Sequence, residues 1–431
     1  MIGEDARNEL PESMKSVGYE NELTDEVPKI QTPSTPLEES KKEQIASQPL
    51  NPDFVFDPFA FLQKLMHPKR LNANQRLKNI KVEEVEEVCK AARDIFMKEE
   101  SLLEVCVPVT VVGDVHGNFH DLYRALLART NQNMIDELKS SMQIRSFGRD
   151  RFLFLGDYIN NGSRSIECIC LVLAMKVNFP DRVFVLRGSQ EGLIGKQFSK
   201  TLIEFAPIHA ETLVPLLEEL FSWMPLAAVV GGKIFCVHGG ISPRMNSLEE
   251  IKMINRPLID VSKIDLATDL IFSDPLDYEF IHIPKTEPTF EGNYLRNRGV
   301  LFNEAAVKQF LDMTGMKLII RSSTVSNFSF PDVSEFFFHM TQFGYRYFAD
   351  KKLITIFNST GYKREGNCGA LLKIDKEGKI TIITLLPAPP KKKKKKAKNS
   401  KDTKVSTDAQ TVQTVSTSVS SERASINTEA L

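Results

Sequence analysis

The sequence lacks the features that mark membrane-spanning, secreted and disulfide-stabilised proteins. No stretch approaches the roughly 20 uninterrupted apolar residues of a transmembrane helix, so we expect no membrane partner. Only 6 of the 431 residues are cysteine, and most of these lie in apolar runs, where a free thiol behaves as a small buried hydrophobe. The first residues lack a basic flank followed by an apolar run, which argues against a secretory signal. We therefore expect an intracellular protein with reduced thiols, in the cytoplasm, the nucleus or both.

Net charge is also almost absent, and the charge imbalance that exists lies at the ends of the chain. The 55 basic and 56 acidic residues leave a formal net charge of −1. Residues 1–53 hold 12 acidic and 5 basic residues, whereas residues 389–431 hold 4 acidic and 10 basic residues. Residues 54–388 are close to neutral, so this part gives no electrostatic indication of a nucleic-acid partner.

Both ends of the chain have the composition of disordered tails. Residues 1–53 are rich in Pro, Ser, Thr and Glu and cannot bury enough apolar surface to offset the entropy of ordering. Residues 389–431 contain six successive lysines, Lys391–Lys396, followed by a Ser/Thr-rich segment. The lysine run fits a nuclear-import signal or a contact with an anionic surface, nucleic acid included, and it equally fits a solvated tail. We predict a globular domain over 54–388 between two disordered tails.

Helical and extended patterns alternate between the tails. Residues 82–96 and 120–128 place apolar side chains at helical spacing. Short runs rich in β-branched and aromatic residues follow at 107–114, 151–157, 182–188, 233–240, 317–323, 353–359, 369–375 and 379–386. Runs that are apolar on both faces indicate strands covered on both sides. Because the last runs follow one another directly, we predict an α/β protein with a mixed sheet or two packed sheets.

Four of the predicted strands end in glycine beside Asp, His or Glu. The segments are Gly113-Asp114-Val115-His116-Gly117, Gly156-Asp157, Gly188-Ser189-Gln190-Glu191 and His238-Gly239-Gly240. Loops at the carboxyl ends of strands converge to form the site of an open α/β sheet. Asp and His supply metal ligands, and glycine allows close approach of the backbone. One such segment fits a simple turn with a capping Asp, but four in order favour a metal site.

With these motifs the sequence resembles the metal-dependent serine/threonine protein phosphatases, the phosphoprotein phosphatase family that includes protein phosphatase 1. The resemblance runs from about Phe54 to Leu386. It includes FLFLGDY (152–158), CLVLAMKVNFPDRVFVLRG (170–188), MPLAAVVGGKIFCVHGGISP (224–243), IFSDP (271–275) and NRGVLF (297–302). It implies a calcineurin-like metallophosphoesterase fold, with two packed mixed β-sheets flanked by helices.

The resemblance also implies a centre of two metal ions that clamp the phosphate. It places the first ion on Asp114, His116 and Asp157, with Asp157 bridging to the second ion. All three residues are present. We therefore expect one divalent ion, Mn, Fe or Zn, to be bound by these residues.

The second ion of the family lacks two of its ligands in this chain. His238 is kept, but Ser189 stands where the family has Asn, and Ser323 stands where it has His. A neutral Ser hydroxyl is a poor ligand beside imidazole. We therefore expect the second metal site to be empty.

The groups that the family uses for proton transfer and phosphate binding are also changed. Gln190 replaces the general-acid His, and Asn160 replaces its Asp partner. Asn161 replaces one phosphate-binding Arg, while the resemblance keeps Arg298 and Tyr362 as phosphate-binding residues. Losing a general acid alone costs ~10²–10⁴-fold in rate.

Three functions fit these observations. The leading hypothesis is a pseudophosphatase that binds phosphatase regulatory subunits or phosphoproteins, with Ile380–Ile383 as part of an apolar docking groove. The alternative is an active phosphatase with an atypical one-ion site, which would favour aryl phosphates because their leaving groups need no acid. In the third, the domain is a passive carrier for the basic tail, which would bind nucleic acid or nuclear-import factors.

Overall fold

Two mixed β-sheets and a small third sheet form the centre of the computed structural model. The structure describes residues 54–66, 80–127, 150–160, 162–192, 202, 205–206, 209–276, 286–294, 296–323, 342–362 and 366–387. In chain order the strands are β1 (Leu102–Val105), β2 (Val109–Val112), β3 (Phe152–Phe154), β4 (Val183–Val185), β5 (Ala227–Val230), β6 (Ile234–Val237), β7 (Asp274–Pro275), β8 (Phe290–Gly292), β9 (Val300–Phe302), β10 (Leu318–Arg321), β11 (Tyr345–Phe348), β12 (Leu353–Ile356), β13 (Gly369–Ile374) and β14 (Ile380–Leu385). The helices are α1 (Pro58–Met66), α2 (Val82–Phe96), α3 (Phe119–Leu127), α4 (Ser165–Asn178), α5 (Ala210–Ser222), α6 (Glu249–Lys252), α7 (Asp265–Phe272) and α8 (Glu304–Thr314).

The two large sheets each combine parallel and antiparallel pairs. In the first, ordered β1–β5–β6–β10–β12–β11, strands β6, β10 and β12 run parallel, whereas β11 is antiparallel to β12. In the second, ordered β14–β13–β2–β3–β4, strands β2, β3 and β4 run parallel, whereas β13 is antiparallel to both β2 and β14. The expected α/β class with two packed mixed sheets is confirmed, including the antiparallel pair near the end.

Apolar side chains lie in three layers, which explains why the strands are apolar on both faces. Val111 and Leu153 of one sheet pack against Ile320 and Ile354 of the other. Val112 lies on the opposite face of the five-stranded sheet, and helices α1 to α5 cover the side chains of that face. Helices α6, α7 and α8 cover the outer face of the six-stranded sheet in the same way. Because side chains alternate between faces along a strand, strands that are covered on both sides carry mostly apolar residues.

Several sequence-based expectations concern the margins of this fold. The predicted tails, 1–53 and 389–431, lie outside the described residues, and so does Lys391–Lys396. The segment Ile380–Ile383 begins β14, an edge strand on which Ile382 and Ile383 are half-buried. All six cysteines carry free thiols. Among the described helices, none has both the length and the apolar composition required to cross a membrane.

Candidate metal centre

The carboxyl ends of β2, β3, β10 and β12 meet at one end of the sandwich. Asp114 follows β2 and forms a bridge with Phe357, which follows β12 in the other sheet. The backbone carbonyl of Asp157, beyond β3, accepts hydrogen bonds from the N–H groups of Val115 and His116, at 3.0 and 2.8 Å. These bonds hold the β2 and β3 loops side by side, as the topology of such sheets predicts.

Asp114, His116 and Asp157 form a buried cluster that can hold a metal ion. One potential ligand atom from each residue lies within 4.8 Å of the others. His116 Nε2 is 3.3 Å from Asp114 Oδ2 and 3.8 Å from Asp157 Oδ2. Burial alone would raise the pKa of Asp114, but the adjacent His116 imidazole holds it below its usual range.

Two buried polar atoms support the fit of a cation to this cluster. Asp114 Oδ2 and His238 Nε2 have no hydrogen-bond partner among the described residues. Buried polar atoms of native proteins are nearly always partnered, and an unpartnered carboxylate oxygen is costly. His238 Nδ1 is 2.9 Å from the carbonyl oxygen of Leu155. If Nδ1 donates to that carbonyl, the lone pair of His238 Nε2 is available to a metal. His238 Nε2 lies 3.3 Å from Asp157 Oδ1.

Four of the eight non-glycine residues with left-handed φ angles in the described part of the chain lie in these loops. His116, Asp157, Asn160 and Ser323 have φ angles of 47°, 55°, 67° and 63°. A residue in this left-handed region costs of order 1–3 kcal/mol when it is not glycine. Strain that collects at strand ends around one cluster is typical of a functional site, because only the surrounding structure maintains it.

The Ser that replaces an Asn ligand contacts the expected bridging carboxylate directly. Ser189 Oγ lies 3.1 and 3.0 Å from the two carboxylate oxygens of Asp157 and donates to them. The backbone N–H of Gln190 donates to Asp157 Oδ1 at 2.8 Å. The oxygen atoms that would bridge two ions therefore accept hydrogen bonds from the protein instead.

The second Ser replacement brings an unexpected arginine to the site. Arg296 Nη2 donates to Ser323 Oγ at 2.7 Å. The backbone N–H of Ser323 donates to Asp114 Oδ1 at 3.1 Å. The neighbouring Ser322 accepts from the N–H of Asp114 at 2.8 Å and donates to the Asp114 carboxylate. Sequence reasoning missed Arg296 and Ser322, because neither occupies a position at which the family resemblance assigns a role.

Asn160 and Gln190, which the resemblance sets at the family's acid–base positions, are two amides in contact. Asn160 Nδ2 donates to Gln190 Oε1 at 2.7 Å. The pair preserves a hydrogen bond, but neither amide has a proton to release at an accessible pH. Asn161, the third replacement in this region, lies outside the described residues.

The two residues expected to bind phosphate lie in different surroundings. The Tyr362 ring stacks on His116, with 5.1 Å between ring centroids, and packs edge-on against Phe357. The guanidinium carbon of Arg298 lies 5.0 Å from the centroid of the Phe272 ring. Within the described residues, no hydrogen bond or ion pair joins Arg298 to the Asp114–His116–Asp157 cluster.

Glu191 holds the loops that carry the cluster. Its carboxylate accepts hydrogen bonds from the N–H groups of Asp157, Tyr158 and Gly188, at 2.8, 2.9 and 3.1 Å. A Cβ at Gly188 would lie 2.3 Å from the backbone nitrogen of Asp157, so the β3 and β4 loops approach too closely for any other residue. The sequence analysis placed Gly188 and Glu191 in a strand-end motif of a metal site and did not predict that Glu191 holds these loops together.

A cleft of about 250 Å³ opens beside the cluster. His116 and Tyr362 form one wall, and Asn118, Arg164, Ser359 and Thr360 line the remainder with the first residues of α3. Of the three residues of the cluster, His116 lines this cleft.

Comparisons with known proteins give matches at the level of family and of fold. Residues 107–324 match the calcineurin-like phosphoesterase family, and residues 60–106 match the serine-threonine protein phosphatase N-terminal domain. A serine/threonine phosphatase structure from Saccharomyces cerevisiae, described as similar to human phosphatase PP5, is 20% identical with a TM-score of 0.56. That alignment covers 72% of this chain and 91% of the other. A cold-active protein-tyrosine phosphatase of a psychrophilic Shewanella species is 17% identical with a TM-score of 0.43, over 68% of this chain and 84% of the other.

Proposed function

The chain belongs to the calcineurin-like phosphoesterase family, and within it to the phosphoprotein phosphatases; from this premise we propose that it is a pseudophosphatase. It binds phosphatase regulatory subunits or phosphorylated proteins through the inherited surface and turns over phosphate esters little or not at all. The observation that carries the proposal is the amide pair Asn160–Gln190 in place of an acid–base pair.

The amide pair cannot supply the proton that a serine or threonine leaving group requires. An alkoxide departs readily only if an acid protonates it in the transition state, and an amide cannot serve as that acid. The hydrogen bond of 2.7 Å between Asn160 and Gln190 also keeps both side chains engaged with each other. The expected cost is ~10²–10⁴-fold in turnover of phosphoserine.

The residues of the cluster fit one divalent ion, at Asp114, His116 and Asp157. Such an ion, when bound, supplies Lewis-acid polarisation of a phosphoryl oxygen. The stacked Tyr362 ring fixes the His116 ring, and the N–H of Gln190 orients Asp157. These residues position a phosphate group at the cleft without providing a proton for the departing oxygen.

The second candidate function is an active phosphatase with an atypical site. The intact three-residue cluster and the stacked Tyr362 favour it. In this version aryl phosphates are cleaved, since their leaving groups need no acid, and phosphoserine is cleaved far more slowly.

Hydrolysis by the full-length chain in Mn²⁺ tests the choice. We expect no measurable turnover of a phosphoserine peptide, and we expect the double variant Asn160→Asp with Gln190→His to gain activity because it restores the acid pair. Asp157→Asn is the control for contaminating phosphatase. Mn²⁺-dependent turnover of phosphoserine by the unmodified chain, abolished by Asp157→Asn, would contradict the pseudophosphatase. Turnover of p-nitrophenyl phosphate alone would favour the second candidate.

Binding is tested separately with the same protein. We expect a fluorescent phosphoserine peptide to bind the Mn²⁺-loaded chain more tightly than the unphosphorylated peptide, and Asp114→Asn to abolish the difference. Equal affinity for both peptides would exclude phosphorylated proteins as partners, and phosphatase regulatory subunits would be the partner class that remains. The third function, carriage of the basic tail, predicts instead that nucleic-acid binding depends on Lys391–Lys396 and falls steeply with salt.

A further inference from the structure

Within the part of the chain that the structure describes, Arg296 is the arginine that contacts Ser323, the residue that the resemblance sets in place of a metal ligand. Its Nη2 atom is 2.7 Å from Ser323 Oγ. Ser323 in turn donates its backbone N–H to Asp114 Oδ1, at 3.1 Å. The guanidinium is thereby one residue removed from the Asp114–His116–Asp157 cluster, at the residue that the resemblance sets in place of a ligand to the second ion.

The guanidinium is fixed rather than free to move away. Asp274 binds it through two contacts, Nε to Oδ2 at 2.6 Å and Nη2 to Oδ1 at 3.1 Å. Arg321 donates to the same carboxylate at 2.8 Å. Two arginines thus share one carboxylate, which leaves a surplus positive charge next to the cluster. A bidentate ion pair of this kind also fixes the plane of the guanidinium.

The surplus charge has a complement in the cluster itself. Asp114 and Asp157 are buried carboxylates, at 0% and 2% exposure. Burial alone lowers the pKa of Arg296, but Asp274 and, more weakly, Asp157 and Asp114 raise it above its usual value. Ser323, which the guanidinium contacts, is bonded to Asp114, so the positive charge lies beside the carboxylates of the cluster.

We propose that Arg296 is a built-in cation that takes the place of the second metal ion and prevents that ion from binding. Two changes go together. Ser323 lacks the imidazole that the family has at this position, and the guanidinium of Arg296 donates to the Ser323 hydroxyl instead. A fixed positive charge repels a divalent ion strongly at the short distances of a metal site. The inference concerns metal stoichiometry and stands whether or not the chain cleaves phosphate esters.

Arg298 provides a matched comparison within the same loop. It stands two residues further along the chain, carries the same charge, and lies against the ring of Phe272. Replacing Arg298 therefore tests the effect of removing an arginine from this loop without removing the contact to Ser323.

The first test measures the Mn²⁺ content of the full-length chain after equilibrium dialysis. We expect one ion in the unmodified chain and one ion in Ser189→Asn with Ser323→His, because Arg296 still excludes the second. Adding Arg296→Met to that pair is expected to give two ions, whereas adding Arg298→Met leaves one. Two ions in the unmodified chain, or in the pair with Arg296 intact, would overturn the proposal. So would a folded triple variant that still binds one.

The single variants keep the proposal testable if the combined ones do not fold. Arg321 continues to pair with Asp274 when Arg296 is replaced. We expect Arg296→Met to bind its one Mn²⁺ about tenfold more tightly than the unmodified chain, since a nearby positive charge is removed. Arg296→Lys keeps the charge and should bind like the unmodified chain. Equal dissociation constants for all three would overturn the proposal.

Discussion

At the scale of single residues, hydroxyl groups now make the contacts around the cluster carboxylates. Ser189 donates to Asp157, and Ser322 is bonded to both the N–H and the carboxylate of Asp114. Hydrogen bonds from buried neutral donors stabilise a carboxylate without adding charge. The cluster can therefore persist as a folded structure in the absence of an ion, and the same bonds orient its oxygens toward one.

Ser322→Ala tests this orienting role. The hydroxyl is fully buried and joins the end of β10 to the end of β2. We expect the free energy of unfolding to fall by about 1–3 kcal/mol, and the Mn²⁺ affinity to fall by about 10–100-fold, as when other outer partners of metal ligands are removed. Denaturant unfolding and calorimetric titration with Mn²⁺ measure the two effects.

Ser242→Ala is the matched control for Ser322→Ala. Ser242 donates to the buried Asp269 at 2.6 Å, away from the cluster. It should show a similar loss of stability with unchanged Mn²⁺ affinity. If both variants bind Mn²⁺ like the unmodified chain, Ser322 is a structural residue only.

At the scale of elements, the small sheet brings distant segments to the site. The carboxylate of Asp274, in β7, accepts hydrogen bonds from Arg321 at the end of β10 and from Arg296 in the loop before β9. Burial would raise the pKa of Asp274, but Arg296 and Arg321 outweigh it and lower the pKa below the usual 3.8. A carboxyl group with a lowered pKa in the folded state binds fewer protons than in the unfolded chain.

The lowered pKa of Asp274 determines how the free energy of unfolding changes with pH. Asp274 contributes stability that is fully present above pH 3.8, the unfolded value, and is lost as the pH falls toward the folded pKa. We expect Asp274→Asn to lose about 3–5 kcal/mol at pH 7, as when one partner of a buried ion pair is removed. The difference from the unmodified chain should narrow below pH 3.8. Urea unfolding between pH 7 and 3 measures it, and a difference independent of pH would exclude this role.

Helix α4 shows why some elements could not be predicted from the sequence. It packs against α1, α2 and α3 and the five-stranded sheet, and most of its residues are buried. Even Lys176 is fully buried, with its ammonium bonded to Glu99 and to the carbonyl of Val183. A helix that is buried all round has no apolar stripe, so it lacks the periodicity that indicated 82–96.

At the scale of the whole molecule, the strand pattern and the strand-end motifs were sufficient to predict the sandwich and the edge where the cluster lies. Apolar runs on both faces predicted covered strands, and the sandwich confirms this. The position of Arg296 could not be predicted in this way. Arg296 and Arg298 stand two residues apart in one loop, and only the path of the small sheet directs one to Ser323 and the other to Phe272. Sequence spacing carries no information about that path.

The cluster also joins the two sheets, so metal binding should stabilise the whole domain. Asp114 leaves the five-stranded sheet and is bonded to Ser322 and Phe357 of the six-stranded sheet. An ion that binds only the folded chain raises the free energy of unfolding by about 2.7 kcal/mol at 100 times its dissociation constant. We expect thermal unfolding of the full-length chain to shift upward in Mn²⁺ and back in chelator. Asp114→Asn should remove the shift, and Asp269→Asn should retain it, because Asp269 is bonded to Ser242 and Arg244 outside the cluster. Identical unfolding with Mn²⁺ and chelator would mean that hydrogen bonds alone hold the cluster.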